Sequence, residues 1–204
     1  MRGSTIFRKG AKDMTRDALI RELTMKPVIA AVRERADAAQ AAESPAAAVF
    51  LLGGSILTLS DTVRMQKEAG KPVFIHMDLC EGLGRDAAAV RWCARNLRPD
   101  GMISTKSQLL HAAKEEGLIT IQRMFLMDSA SLVSGMKLLK GSPPDMVELM
   151  PGLIPKAIRA VSGKLSIPVI AGGMITEADE VEVALRAGAL AVSTSDRVLW
   201  RMGI

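Results

Sequence analysis

Eight short apolar runs recur along the chain: Pro27–Val32, Ala46–Leu52, Pro72–Met77, Gly101–Ile103, Leu118–Met124, Met146–Met150, Ile167–Ala171 and Ala189–Val192. Each is nearly continuous rather than alternating, which is the pattern of a parallel strand buried on both faces. Helical patterns separate them. Asp86 to Leu97 opens on a good N-cap residue and puts Val90, Cys93 and Leu97 on one side. Thr176 to Ala187 opens on Thr176-Glu177-Ala178-Asp179, a capping-box pattern with Asp in its last place, and Gly188 stops it. Gly70 and Gly117 stop two others. Strict alternation of strand and helix gives a parallel sheet, and eight repeats suggest closure into a barrel. The predicted fold is α/β, a compact TIM (β/α)8-like barrel over residues 27–204. A chain of 204 residues is small for that fold, so some helices are expected to be short or missing, after strands two and eight. Ahead of the barrel, residues 1–26 read as a basic leader segment, with a helix over Asp13 to Met25.

Composition narrows the class. Hydrophobic residues make up 49% and charged residues 24%, which describes a folded globular chain. No apolar run approaches the ~18–20 residues of a membrane-spanning helix, and no secretory h-region follows the basic N-terminus. The chain has two cysteines, which make no disulfide framework and point to a reducing, cytoplasmic location. With two histidines and no Cys/His cluster at ligand spacing, neither a metal nor another cofactor is expected.

In barrels of this kind function gathers at the C-terminal ends of the strands. Strand seven ends in Gly172-Gly173 and strand eight in Ser193-Thr194-Ser195. Glycines admit a ligand close to the backbone, and N–H groups with hydroxyls suit phosphate oxygens. These two loops, with Lys106 after Ser104-Thr105, form the predicted phosphate site; ordinary turns are the alternative. The other strand ends are polar too: Arg33, Gly53-Gly54, His76-Met77-Asp78, Gln122-Arg123, Glu148 and Pro151-Gly152. Arg123 and Glu148 lie inside apolar strands, which implies an inward-facing pair or a ligand contact. His76 and Asp78 are expected to share a pocket; a satisfied core histidine is the other reading of His76.

The net charge of +5 lies wholly in residues 1–33, which carry eight Lys/Arg against three Asp/Glu. Arg8, Lys9, Lys12 and Arg16 there, and an Arg91, Arg95, Arg98 stripe beside Trp92, are the candidate contacts for an anionic polymer such as RNA. A solvated leader helix is the alternative for the first group, and a subunit interface or a Trp92 tucked against the neighbouring barrel helix is the alternative for the second.

Taken together the motifs resemble the glycerol-3-phosphate-responsive antiterminator family, the glycerol uptake operon antiterminator regulatory proteins. The stretches that carry the resemblance are PVIAAV from Pro27, VFLLGG from Val49, HMDL from His76 with Gly82-Leu83 and Asp86, and DGMISTK from Asp100. QRMF from Gln122, ELMPG from Glu148, PVIAGG from Pro168 and AVSTS from Ala191 complete them, over about residues 27–200. Gly54 and Gly84 depart from the expected larger or more polar residues. The resemblance implies a regulator without a catalytic residue. It would bind glycerol 3-phosphate and act on the leader mRNA of glycerol-use genes, alone or as a homo-oligomer. Gly172, Gly173, Ser193, Thr194, Ser195 and Lys106 would take the phosphate; His76, Asp78, Arg123 and Glu148 would take the glycerol hydroxyls. The alternative is a TIM-barrel enzyme on a phosphorylated metabolite, an isomerase, aldolase or glycerol-phosphate transferase, using His76, Asp78 or Glu148 as acid/base groups.

Overall fold

A computed structural model describes residues 14–202. Its strands are β1 (Val28–Val32), β2 (Ala48–Leu51), β3 (Val73–His76), β4 (Gly101–Ser104), β5 (Ile119–Phe125), β6 (Met146–Met150), β7 (Val169–Gly172) and β8 (Ala191–Thr194). They form one closed barrel in sequence order, every neighbouring pair parallel, with β8 returning to β1. The helices are α1 (Arg16–Met25), α2 (Ala38–Glu43), α3 (Ile56–Glu68), α4 (Ala87–Asn96), α5 (Ser107–Glu115), α6 (Ser129–Gly141), α7 (Pro155–Ser162) and α8 (Ala178–Arg186).

The apolar runs divide by parity, because successive strand residues point to opposite faces. Val28, Ala30 and Val32, and their equivalents on later strands, face the helices and fill two outer clusters. Ile29, Phe50, Phe74, Ile121, Met146, Ile170 and Ala191 fill the interior. Phe50 and Phe74 meet edge to face there, 5.4 Å between centroids. Leu19 and Leu23 of α1 join the same cluster, so α1 stoppers the N-terminal end of the barrel. Thr15 caps α1 by accepting the Ala18 N–H at 3.2 Å, so the helix begins at Arg16; Asp13 lies outside the described residues.

Two expectations about helices are corrected. The helix after β2 is a full 13 residues, not a short one. Ser55 caps it, and Leu59, Val63 and Gln66 give it a buried face; the Gln66 side chain donates to the Ala38 carbonyl at 2.6 Å. The short helix follows β1 instead: α2 has six residues because Ser44-Pro45 ends it. The cap of α8 is also displaced by one position. Glu177 is the N-cap, and the Glu180 carboxylate accepts the Thr176 and Glu177 N–H groups at 2.8 and 3.0 Å. Gly172, Ser193 and Thr194 belong to strands rather than loops, since the β7–β8 ladder continues to Gly172 opposite Ser193.

After β8, as expected, the described residues contain no α-helix; a single 3-10 turn, Leu199–Arg201, takes its place. It closes the β8–β1 seam with little chain. Trp200 is buried in the outer cluster over β1 and Leu199 in the one over β7 and β8. The Trp200 indole N–H donates to the Thr194 carbonyl at 2.7 Å, and Arg197 pairs with Asp37 beyond β1. One side chain thus does what a whole helix does elsewhere in the ring. Trp200→Ala is expected to lower stability by about 3–5 kcal/mol, and Trp200→Phe, which loses chiefly the hydrogen bond, by about 1–2 kcal/mol. Urea unfolding curves measure both; a Trp200→Ala loss under about 1 kcal/mol would contradict this role for Trp200.

Candidate functional site

The interior parity that fills the lower barrel with apolar residues delivers a different set above. One step on from Phe74, Ile121, Met146, Ile170 and Ala191 come His76, Arg123, Glu148, Gly172 and Ser193. Arg123 and Glu148 are register partners across β5 and β6, both almost wholly buried. The Arg123 Nε donates to Glu148 Oε2 at 2.6 Å, and the Ser193 hydroxyl donates to Glu148 Oε1 at 2.5 Å. Both carboxylate oxygens are therefore engaged, and the Glu148 side chain is held in one position. Gly172 is required here by space: a Cβ would stand 2.6 Å from both Glu148 Oε1 and the Ser193 hydroxyl.

Opposite this group, β3 ends at His76 and the chain turns through the 3-10 segment Met77–Leu79. Asp78 is thus on a turn, yet it lies beside His76 as expected, with Oδ2 3.7 Å from His76 Nδ1. That oxygen accepts from the Thr105 N–H at 2.7 Å, the Ser104 hydroxyl at 3.0 Å and the Thr105 hydroxyl at 3.2 Å. Asp78 so fastens the start of the β4–α5 connection. Four buried atoms around this mouth have no hydrogen-bond partner among the described residues: both His76 ring nitrogens, Asp78 Oδ1 and Arg123 Nη2. Buried polar atoms are nearly always bonded to something, so such a cluster marks a place built for a ligand's polar groups. Burial, and then the Arg123 cation, push the His76 pKa down to about 4 against the pull of Asp78. His76 is therefore neutral at neutral pH, with one ring nitrogen a donor and the other an acceptor.

The β7 and β8 ends stand together, as the phosphate prediction requires. Gly173 and Met174 follow with φ of +76° and +66°, two successive left-handed residues. Such a turn is open to Gly and strained for Met, and strain of this kind clusters at ligand sites. The Gly152 N–H donates to the Gly173 carbonyl at 3.2 Å, joining the loops after β6 and β7. Thr194 differs from its neighbours: its hydroxyl donates to the Ile175 carbonyl at 2.7 Å and accepts the Asp196 N–H at 3.0 Å. It bolts the two loops together, Ser193 is engaged with Glu148, and Ser195 is the exposed member. Lys106 is exposed but does not join them; it follows β4, on the far side of the ring from β8.

The basic candidates fare unequally. Arg8, Lys9 and Lys12 lie outside the described residues. Arg16 is within 3.5 Å of Asp17 and 3.9 Å of Asp145. Arg91 is exposed on α4, but Arg95 makes two 3.1 Å bonds to Glu116. Arg98 lies past the end of the helix at φ +52°, its N–H bonded to the Cys93 carbonyl, so the stripe is broken. The roles of three groups named in the sequence were not foreseen: the Thr194 bolt, the Ser104–Thr105 clasp and the Gln122 amide. Gln122 left a signal, a polar residue at a helix-facing position of an apolar strand.

Residues 28–200 match the family described as glycerol-3-phosphate responsive antiterminator. The Escherichia coli (strain K12) protein named uncharacterized protein YgcP is 37% identical over 184 residues, 90% of this chain and 96% of that one. The crystal structure of the glycerol uptake operon antiterminator regulatory protein from Listeria monocytogenes superposes with a TM-score of 0.81 at 35% identity, covering 85% of this chain and 94% of that one. A glycerol uptake operon antiterminator-related protein from Thermotoga maritima gives 0.78 at 31%, covering 87% and 99%. An aldolase at 13% identity and a TM-score of 0.69 shares the fold alone.

The environment of His76 has a measurable signature. Its pKa falls from about 6.5 unfolded to about 4 folded, so between those values the unfolded chain binds the extra proton. The contribution to stability is full above about pH 6.5 and lost as pH falls toward 4, amounting to about 3 kcal/mol. Urea unfolding at pH 7 and pH 4 should show a fall that is smaller by about this amount in His76→Gln. Equal falls in the two proteins would mean that His76 titrates normally.

Proposed function

The chain belongs to the glycerol-3-phosphate responsive antiterminator family, a regulatory family rather than an enzymatic one, and from that premise we propose that it is a ligand-gated transcription antiterminator. It binds glycerol 3-phosphate in the mouth of the barrel and, in the bound state, acts on leader mRNA in the cytoplasm. The observation that carries the ligand assignment is the cluster of unpartnered buried atoms. Asp78 Oδ1 only accepts, Arg123 Nη2 only donates, and neutral His76 does one of each. A polyol satisfies such a set, because each hydroxyl gives one hydrogen bond and accepts others. The phosphate takes the Gly173 and Met174 backbone with Ser195, while Ser193 and Glu148 hold Arg123 in place. Lys106 faces the anion from across the mouth. Thr194 shapes the phosphate loop without touching the ligand through its hydroxyl.

Antitermination requires no bond to be made or broken in the ligand. What it requires is a difference in affinity between two states of the protein, one of which engages RNA. Arg8, Lys9, Lys12, Arg16 and Arg91 remain the long-range cationic contribution to that step. No helix among the described residues is long and apolar enough to cross a membrane.

Thermal-shift titration with sn-glycerol 3-phosphate, glycerol and inorganic phosphate tests the ligand. Stabilisation should be selective for glycerol 3-phosphate, reaching about 2.7 kcal/mol at a hundredfold excess over Kd. Equal responses to all three, or none, would sink the assignment. In Gly173→Val the side chain meets Met150 and the left-handed backbone is strained, so affinity should fall at least tenfold. Unchanged affinity would make that loop structural. In vitro transcription through a leader terminator, with and without glycerol 3-phosphate, tests the regulatory step; read-through that ignores both protein and ligand would refute it.

A further inference from the structure

A groove of about 400 Å³ opens on the outside of the barrel between α5 and α6. It exists because α6 stands off the sheet, burying only Gly135 and Leu139. Leu110, His111 and Lys114 of α5 form one wall, Pro143 and Pro144 the other, and Gln122 of β5 lies in the floor. The strand residues beneath the other helices are mainly Val, Leu, Ile, Met and Ala; here Thr120 and Gln122 take their place.

The floor of the groove is tied to the ligand mouth through one short segment, residues 104–107. On the mouth side Asp78 holds Ser104 and Thr105 by the three bonds already given. On the groove side the Gln122 amide donates to the Thr105 carbonyl at 2.9 Å and the Ser104 carbonyl at 3.2 Å, and accepts from the Ser107 hydroxyl at 3.0 Å. Lys106 sits between, its N–H on the Ser104 hydroxyl at 3.0 Å. Any shift of this segment toward a ligand in the mouth moves the groove floor, and the reverse.

We propose that the groove seats one nucleotide of single-stranded RNA and that residues 104–107 couple it to the ligand mouth; this rests on reading the chain as a glycerol 3-phosphate-gated RNA regulator. The volume falls within the ~300–1,000 Å³ of small-molecule sites. Leu110 and the two prolines present apolar faces to a base. Lys114 offers the charge for a phosphate, and no carboxylate lines the groove. Asp145, next to Pro144, accepts from the Thr120 N–H and hydroxyl at 2.9 and 2.8 Å. Coupling is reciprocal, so RNA must raise affinity for glycerol 3-phosphate by the factor by which glycerol 3-phosphate raises affinity for RNA.

The test uses the full chain. A pool of random 30-nucleotide RNAs is selected on immobilised wild-type protein with glycerol 3-phosphate present, and a selected RNA is measured by fluorescence anisotropy. Lys114→Glu should bind it at least tenfold more weakly, while its thermal shift with glycerol 3-phosphate alone stays as in wild type. RNA should tighten glycerol 3-phosphate binding in wild type and not in Lys114→Glu. Ser142→Trp, which fills the groove without changing charge, should weaken RNA in the same way. If both variants bind the selected RNA as wild type does, the groove is not the RNA site, though the regulator reading stands. If no RNA is selected by wild type, the RNA reading itself fails, and the groove proposal with it.

Discussion

The upper barrel depends on how one buried charge is satisfied. A carboxylate as deeply enclosed as that of Glu148 is tolerable only when paired and fully hydrogen-bonded. Arg123 on the next strand and Ser193 two strands away meet that demand, and the consequences spread outward. The register between β5 and β6 cannot slip, because a one-residue shift turns Arg123 or Glu148 toward the helices. Residue 172 must lack a side chain. Arg123 is held with Nη2 unpartnered among the described residues. Removing either partner of such a pair generally costs about 3–5 kcal/mol, which is a large share of the ~5–15 kcal/mol that stabilises a domain.

Much of this was legible in the sequence because it is local. A continuous apolar run is a two-face-buried strand wherever it occurs, and an Arg or Glu inside one must be paired or bound. The eight strands, the Arg123–Glu148 pair, the nearness of His76 and Asp78 and the joint position of the β7 and β8 ends all follow from such reasoning. What was not legible depends on closure of the ring. Lys106 is named in sequence with the β7 and β8 ends, and only the strand order reveals that it stands across the ring from them. Thr194 and Ser193 are identical in kind to Ser195, yet parity sends one hydroxyl to the Ile175 carbonyl and the other to Glu148. Trp200 has no helical periodicity around it, so nothing in its neighbourhood announces that it replaces a helix. The length of α3 was missed because its buried face includes Thr62 and Gln66, polar residues whose burial depends on contacts elsewhere in the fold.

The interior is built in two registers of chemistry. Below, aliphatic and aromatic side chains are capped by Leu19 and Leu23; above, a single polar layer faces the mouth. The boundary is sharp because strand periodicity is two: from Phe74 to His76, from Ile121 to Arg123 and from Met146 to Glu148 is one step each. A ligand entering from above therefore meets hydrogen-bonding groups for one layer only, and then hydrocarbon.

The two sides of that mouth differ mechanically. On the side of β5 to β8, an ion pair, a hydroxyl bond and a glycine contact interlock four strands and fix Arg123. On the β3 and β4 side, the Asp78 clasp rests on one carboxylate oxygen shared among three donors, and its other oxygen is unengaged. The bonds on the first side run from strand to strand, whereas those on the second leave the sheet through residues 104–107 toward α5, so a ring of eight repeats has a mouth with two unlike halves.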